Sequence, residues 1–144
     1  MGEIRFGIIG MGTQGQLYAR ILAAKPLMAG MTALGKPAHC RLSAVCNRSS
    51  ASLQEWENEP GISVFSDYKE MLAAHVCDAV VITVPHLSHA EIAVEAIRHK
   101  IHVLCEKPAA IAASEVRKML AASEENPSAS VGIMFNQRVN QIYK

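Results

Sequence analysis

The stretch IRFGIIGMGTQG, residues 4–15, decides how the rest of this chain is organised. Its first half is an apolar run with β-favouring residues, which predicts a buried strand. Its second half places Gly10, Gly12 and Gly15 in the spacing G-x-G-x-x-G, and residues 16–22 continue with a helical pattern. The sequence therefore predicts a strand that turns sharply and leads directly into a helix.

Each of the three glycines suits a turn that binds a dinucleotide. Gly10 permits the tight turn, Gly12 has no Cβ to keep the backbone away from a pyrophosphate, and Gly15 lets the helix pack close to the strand. The N–H groups around Thr13 and Gln14 would point at the phosphates, with the positive end of the helix dipole behind them. Because the motif lies between a strand pattern and a helix pattern, we expect a dinucleotide site rather than a merely structural turn.

The composition is that of one soluble globular domain. Of the 144 residues 50% are hydrophobic and 19% are charged, and the formal net charge of +1 gives no reason to expect a nucleic-acid partner. Neither a secretory segment nor an apolar run of membrane-spanning length is evident, so we expect a cytoplasmic protein that does not bind membranes. The cysteines form no C-x-x-C pair and have no metal-ligand spacing with histidine, which predicts buried reduced thiols at Cys40, Cys46, Cys77 and Cys105.

Strand and helix patterns alternate along the rest of the chain. The predicted strands after the first are 41–46, 62–65, 78–84, 102–105 and 130–135, and the predicted helices after the first are 51–57, 68–73, 90–100 and 114–120. The glycine- and proline-punctuated link 27–37 is unusually long, as expected of a surface excursion or an interface. The alternation predicts an α/β, Rossmann-type doubly wound parallel sheet in the order 3-2-1-4-5-6. The ligand crevice is expected at the carboxyl ends of strands one and four.

The residues after the second strand bear on the choice of cofactor. A chain that binds NAD usually places an acidic residue there, on the ribose hydroxyls. Here the place is held by Asn47, Arg48, Ser49 and Ser50, and there is no Asp or Glu between Gly15 and Glu55. Arg48 is able to pair with a 2′-phosphate, helped by a neighbouring serine hydroxyl, which favours NADP over NAD. The alternative is an exposed arginine in a loop.

The tails of the fourth and fifth strands also reach the expected crevice. After Thr83 and Pro85 come His86 and His89, whose spacing is compatible with a pair of metal ligands. Because no third ligand is evident, we do not expect a metal site. The fifth strand leads into 106–108, Glu-Lys-Pro, where a partly buried lysine would exchange a proton with a substrate hydroxyl. The proline is a candidate for a cis peptide bond, and the alternative is a solvated loop lysine.

Taken together, these motifs resemble one family. The glycine turn, Pro85 with His89, the triplet 106–108 and the closing segment 135–143 follow in the order found in the glucose-fructose oxidoreductase, inositol dehydrogenase and rhizopine-catabolism (Gfo/Idh/MocA) family. The resemblance implies an NAD(P)-dependent oxidoreductase that acts on a sugar, a cyclitol or a related polyhydroxy compound. It places Lys107, as the catalytic residue, next to the substrate and the nicotinamide.

The complete set of predicted cofactor-binding residues comprises the glycine turn and the tails of three strands. They are Gly10, Met11, Gly12, Thr13, Gln14 and Gly15 of the turn, Asn47, Arg48 and Ser49, Thr83, Pro85, His86 and His89, and Glu106 and Lys107.

The chain differs from the family pattern at two motif positions and in its length. The family often has Asn directly after the proline, where this chain has His86, and the acidic residue after the second strand is missing. Members also carry a second α/β domain that holds most substrate contacts. We therefore expect 1–135 to form the NAD(P)-binding domain and 136–144 to begin a truncated substrate domain, so that this piece alone is not catalytically competent.

Two other functions stay open at this point. One is a non-catalytic module that binds or senses a dinucleotide. The other is a Rossmann-like domain that binds no nucleotide because Met11 or Gln14 fills the glycine turn. Without the second domain, an exposed apolar face near 133–143 is expected to favour self-association, and a homo-oligomer is predicted.

Overall fold

The computed structural model describes residues 2–25 and 39–135. The strands are β1 (Ile4–Ile9), β2 (Cys40–Cys46), β3 (Ser63–Phe65), β4 (Ala79–Ile82), β5 (His102–Glu106) and β6 (Val131–Met134). The α-helices are α1 (Thr13–Leu22), α2 (Tyr68–Ala73), α3 (His89–Arg98) and α4 (Ala113–Glu125), and 3₁₀ turns occupy Ser50–Ser52 and His86–Ser88. The predicted link 27–37 and the segment 136–144 lie outside the described residues.

The six described strands form one sheet in the order β3-β2-β1-β4-β5-β6, and each neighbouring pair is parallel. The predicted fold class and strand order are therefore confirmed. The order reverses between β1 and β4, so the loops that follow these two strands diverge to opposite sides and leave a crevice between them.

Two apolar clusters fill the two faces of the sheet. One cluster joins the sheet to α2, α3 and α4, with Met71, Ala93 and Met119 among its buried members. The other lies on the face that α1 covers, where Ile8 and Trp56 are completely buried. The central strands are covered on both faces, which accounts for the nearly continuous apolar sequence of β4.

The predicted helix over 51–57 is wrong. This segment is instead a chain of turns, in which the N–H of Leu53 donates to the carbonyl of Ser50 at 2.9 Å and the N–H of Trp56 donates to the carbonyl of Leu53 at 2.8 Å. The carbonyl of Ser52, which an α-helix would pair with the Trp56 N–H, accepts instead from the Gln16 side chain at 2.8 Å. A tertiary hydrogen bond from α1 has therefore replaced the helical one.

Other predicted boundaries differ by a few residues. The last helix runs to Glu125 instead of ending at residue 120, since residues that favour helix continue the pattern. Asp67 caps α2 as its sequence position indicates, with its Oδ1 accepting from the Lys69 N–H at 2.7 Å. Within the described residues no helix is long and apolar enough to cross a membrane.

The four cysteines are free thiols, and three of them are buried. Burial raises the pKa of Cys46 and Cys105 to about 12 and that of Cys77 to about 11. These thiols are therefore protonated and poorly nucleophilic near neutral pH.

Trp56 offers a test of this packing. The Trp56→Ala variant removes a completely buried indole, whose N–H donates to Gln16 Oε1 at 3.1 Å, and we expect it to lower the free energy of unfolding by about 3–5 kcal/mol. Urea unfolding followed by circular dichroism measures the change. The control, Leu87→Ala, truncates a side chain that is 73% exposed and should change the value by less than about 0.5 kcal/mol. A similar small loss in both variants would contradict the assigned core.

Candidate cofactor site

The glycine turn is in close van der Waals contact with the end of β4. Gly10 has a φ of 98°, and a Cβ there would lie 2.8 Å from backbone atoms of Thr83. The Thr83 hydroxyl in turn donates to the carbonyl of Gly10 at 2.6 Å. A Cβ at Gly15 would lie only 1.9 Å from that same carbonyl oxygen. These distances fit the packing roles predicted for the two glycines, a tight turn at Gly10 and close approach of the helix at Gly15.

Gly12 differs from its two neighbours because nothing lies within 4 Å of the place a Cβ would take. It is exposed and faces open space at the amino end of α1. The fold therefore does not require glycine at this position for packing. The open side of the turn is the side from which a ligand could approach the helix N-terminus.

A cleft of about 730 Å³ opens beside the turn. Its wall includes Ile9, Cys46, Ser66 and Thr83, which end or directly follow β1, β2, β3 and β4. The cleft therefore lies at the carboxyl ends of the strands, where the strand order reverses. The predicted site residues that line it are Gly10, Met11, Gly12, Asn47, Arg48, Ser49, Thr83 and Pro85.

Asn47 connects two walls of this cleft. Its Oδ1 accepts from the Met11 N–H at 3.1 Å, and its Nδ2 donates to the carbonyl of Ser49 at 3.2 Å. Both ends of the amide are thus used within the protein, which fixes the glycine turn relative to the tail of β2. Arg48 and Ser49 are exposed on the same wall.

The glycine turn is not filled by a side chain. Met11 is 2% exposed and belongs to the apolar cluster beneath α1, while Gln14 is exposed and does not line the cleft. The structure therefore gives no support to occlusion by either of these residues.

Several polar residues in the cleft wall were not predicted to be functional. These are Ser52, Ser66, Asp67, Tyr68, Ser88 and Glu91. The Tyr68 hydroxyl donates to Glu91 Oε1 at 2.8 Å, and burial together with this carboxylate raises the pKa of Tyr68. Their position after β2, β3 and β4 was the available signal, since ligands bind at the carboxyl ends of the strands around the switch point.

The other predicted site residues lie away from the cleft wall. Thr13, Gln14, Gly15, His86, His89, Glu106 and Lys107 do not line it. His86 is exposed, and so is Lys107, so the expected partial burial of this lysine is wrong and the side chain is solvated. The peptide bond between Lys107 and Pro108 is cis, as predicted from the sequence. His89 is completely buried, and both of its ring nitrogens contact carbonyl oxygens of the protein. The ring therefore joins two backbone segments inside the protein and is not exposed to a ligand.

Residues 2–25 and 39–135 contain no group of three or more His, Cys, Asp or Glu side chains that could hold a metal ion. The rings of His86 and His89 meet edge-on, with 5.4 Å between their centroids, and both ring nitrogens of His89 contact carbonyl oxygens.

Comparison with known proteins decides the family. Residues 4–133 match the oxidoreductase family with an NAD-binding Rossmann fold, GFO_IDH_MocA. The chain belongs to this family.

Three members of the family that are similar to this chain are inositol dehydrogenases. An inositol 2-dehydrogenase of Salmonella paratyphi B is 28% identical over 140 residues, which cover 97% of this chain and 39% of the relative. A Bacillus subtilis scyllo-inositol 2-dehydrogenase (NADP(+)), IolU, is 39% identical over 87 residues, covering 60% of this chain and 26% of IolU. The crystal structure of a Lactobacillus casei scyllo-inositol dehydrogenase with bound NAD(H) and scyllo-inositol shares the fold, with a TM-score of 0.82 and 24% identity over 96% of this chain and 38% of the other.

The matches to the Salmonella and Lactobacillus proteins cover nearly all of this chain, but the chain spans only about two fifths of the length of these two inositol dehydrogenases. What the comparison establishes is accordingly the NAD-binding Rossmann part of the family.

The contrast between two glycines provides a prediction. Gly15→Ala should lower the free energy of unfolding by about 3 kcal/mol, because the new methyl group would meet the Gly10 carbonyl and only backbone movement can relieve the clash. Gly12→Ala should change it by less than about 1 kcal/mol, since the methyl group meets open space. Urea unfolding of both variants measures the difference. Equal losses would show that the turn is not packed as described.

Proposed function

We propose that this chain is the NAD(P)-binding part of an oxidoreductase that transfers a hydride between nicotinamide and a sugar, cyclitol or related polyhydroxy substrate. The main support for this proposal is that the glycine turn is open to solvent at Gly12. Gly12 faces free space at the amino end of α1, beside a cleft whose size is typical of a ligand pocket. Membership of the family and the similarity to inositol dehydrogenases support the substrate class.

The pyrophosphate would lie over the turn. The first N–H groups of α1, at Thr13 and Gln14, have no helical partner, and the helix dipole favours negative charge at this end. The missing Cβ of Gly12 allows close approach of the backbone. Residues of the β4 tail, Thr83 and Pro85, form the opposite wall of the cleft and would contact the cofactor from that side.

The adenosine end would lie against the tail of β2, where Arg48 and Ser49 line the cleft. A guanidinium group and a hydroxyl group suit a 2′-phosphate, so we propose NADP as the preferred cofactor. The scyllo-inositol dehydrogenase IolU, which is described as NADP(+)-dependent, supports this choice. Asp67 and Glu91 also line the cleft, and contact of either carboxylate with the ribose hydroxyls would instead favour NAD.

The nicotinamide end would then extend past β4 toward the end of β5, where Lys107 is exposed. The bound dinucleotide supplies the hydride acceptor or donor. The Lys107 amine would take up the proton of the substrate hydroxyl as the carbinol C–H bond is broken, and it would return this proton in the reverse reaction. His86 and Glu106 would border this end.

The complete activity is proposed for a longer protein in which a second domain, expected from residue 136 onward, orients the substrate. A cytoplasmic location belongs to the proposal, since the described thiols are free, and so does a homo-oligomer.

A second candidate is a module that binds or senses a dinucleotide without catalysis. It is favoured by the cleft wall, which does not reach Lys107 within the described residues. An inositol-dependent reduction of NADP⁺ by the full-length parent, abolished by Lys107→Met, would exclude this candidate.

Calorimetric titration of the chain with NADPH and NADH tests the proposed site. We expect NADPH to bind more tightly, and Arg48→Ala to weaken NADPH binding by about tenfold because a charge-assisted contact is lost. NADH binding should change by less than about twofold in the same variant, because NADH has no 2′-phosphate for Arg48 to contact.

The matched control is Arg117→Ala, which removes an exposed arginine on α4 that does not line the cleft. Tighter binding of NADH, unaffected by Arg48→Ala, would contradict the NADP assignment while leaving the glycine turn in place. Absence of binding by either cofactor would contradict the proposed function of this chain.

A further inference from the structure

The backbone on the amino side of Lys107 is held from the face of the sheet that α1 covers. Glu106 ends β5, and its Oε1 accepts a hydrogen bond of 2.5 Å from the hydroxyl of Tyr18. Its Oε2 accepts from the Lys107 N–H at 3.0 Å. Tyr18 comes from the middle of α1, so one carboxylate links the first helix to the backbone of Lys107.

Tyr18 is well suited to be the donor in this link. Its ring packs against the apolar cluster beneath α1, together with Leu104 of β5. Burial, followed by the neighbouring Glu106 carboxylate, raises the pKa of Tyr18 to about 12. The hydroxyl therefore keeps its hydrogen at any pH in the physiological range.

The backbone on the carboxyl side of Lys107 is held from the opposite face. His89, the first residue of α3, has no exposed surface. Its Nδ1 lies 2.7 Å from the carbonyl oxygen of Pro108, and its Nε2 lies 2.9 Å from the carbonyl oxygen of Val84. The ring thus spans the gap between the tail of β4 and the loop that follows β5.

The two ring nitrogens of His89 both face carbonyl oxygens. A carbonyl oxygen only accepts hydrogen bonds, so the ring nitrogen that carries the hydrogen donates to the carbonyl that it faces. The next residue, Ala90, belongs to the apolar cluster on this face, which keeps water from replacing the bridge.

We propose that Tyr18 and His89 are positioning residues, which hold the backbone on either side of Lys107 from opposite faces of the sheet. Neither residue lines the cleft itself, and each acts through the loop 106–108. The pair leaves the Lys107 side chain exposed while it fixes the place from which that side chain meets the nicotinamide end of a dinucleotide. This inference rests on the proposed function.

Comparison of two ligands tests the proposal. ADP-ribose contains the adenosine and pyrophosphate groups of NADH but no nicotinamide. In the Tyr18→Phe and His89→Gln variants we expect NADH affinity to fall by about fivefold to tenfold, because the loop at the nicotinamide end is released. ADP-ribose affinity should stay within about twofold of the wild-type value, since the glycine turn and the tail of β2 are untouched.

The matched control is His99→Gln, which changes a histidine at the other end of α3 and should leave both affinities unchanged. Unchanged NADH affinity in the two test variants, or equal losses for NADH and ADP-ribose, would overturn the proposal. Tyr18→Phe removes a single hydroxyl, so it provides a result even where His89→Gln does not fold.

A second readout does not depend on ligand binding. Tyr18→Phe should speed hydrogen exchange at the Lys107 amide, measured by NMR, by about tenfold. Unchanged exchange would overturn the proposal. If the wild-type chain binds none of NADPH, NADH and ADP-ribose, the proposed function fails, and the exchange measurement decides separately whether Tyr18 holds the loop.

Discussion

The close approach of α1 to the ends of β1 and β4 is the constraint on which the rest of the structure depends. The Gly10 carbonyl lies where a Cβ on Gly15 would stand, at 1.9 Å, and the Thr83 hydroxyl donates to that same carbonyl. Only a residue without a side chain allows the first turn of the helix to come so near. The helix N-terminus is thereby brought to the point where the strand order reverses, and its dipole faces the cleft.

The site is therefore a set of strand ends joined by a few polar links. Asn47 connects the glycine turn to the tail of β2, and His89 connects the tail of β4 to the loop after β5. Each link is a side chain used entirely inside the protein. The links leave Arg48 and Lys107 exposed at separate strand ends. The proposed function assigns them two distinct roles, recognition of a phosphate by Arg48 and transfer of a proton by Lys107.

Much of this arrangement could be predicted from the sequence, because glycine spacing and hydrophobic patterning are local signals. The parallel order follows from strand and helix alternation, and the roles of Gly10 and Gly15 follow from the spacing of the turn. The prediction of a helix over 51–57 was wrong because the Gln16 side chain donates to the Ser52 carbonyl in place of a helical N–H. A tertiary contact of this kind has no signal in the local sequence. The interior position of His89 was missed for the same reason, since its two carbonyl partners lie 5 and 19 residues away.

The proposed dinucleotide would bind across the glycine turn at the carboxyl ends of the strands. NMR mapping of backbone amide shifts on addition of NADPH tests this position. We expect the largest changes at Gly12, Thr13 and Gln14, with further changes at Arg48 and none at the opposite end of the sheet, for example at His102. Changes that spare Gly12 to Gln14 and fall elsewhere would contradict it.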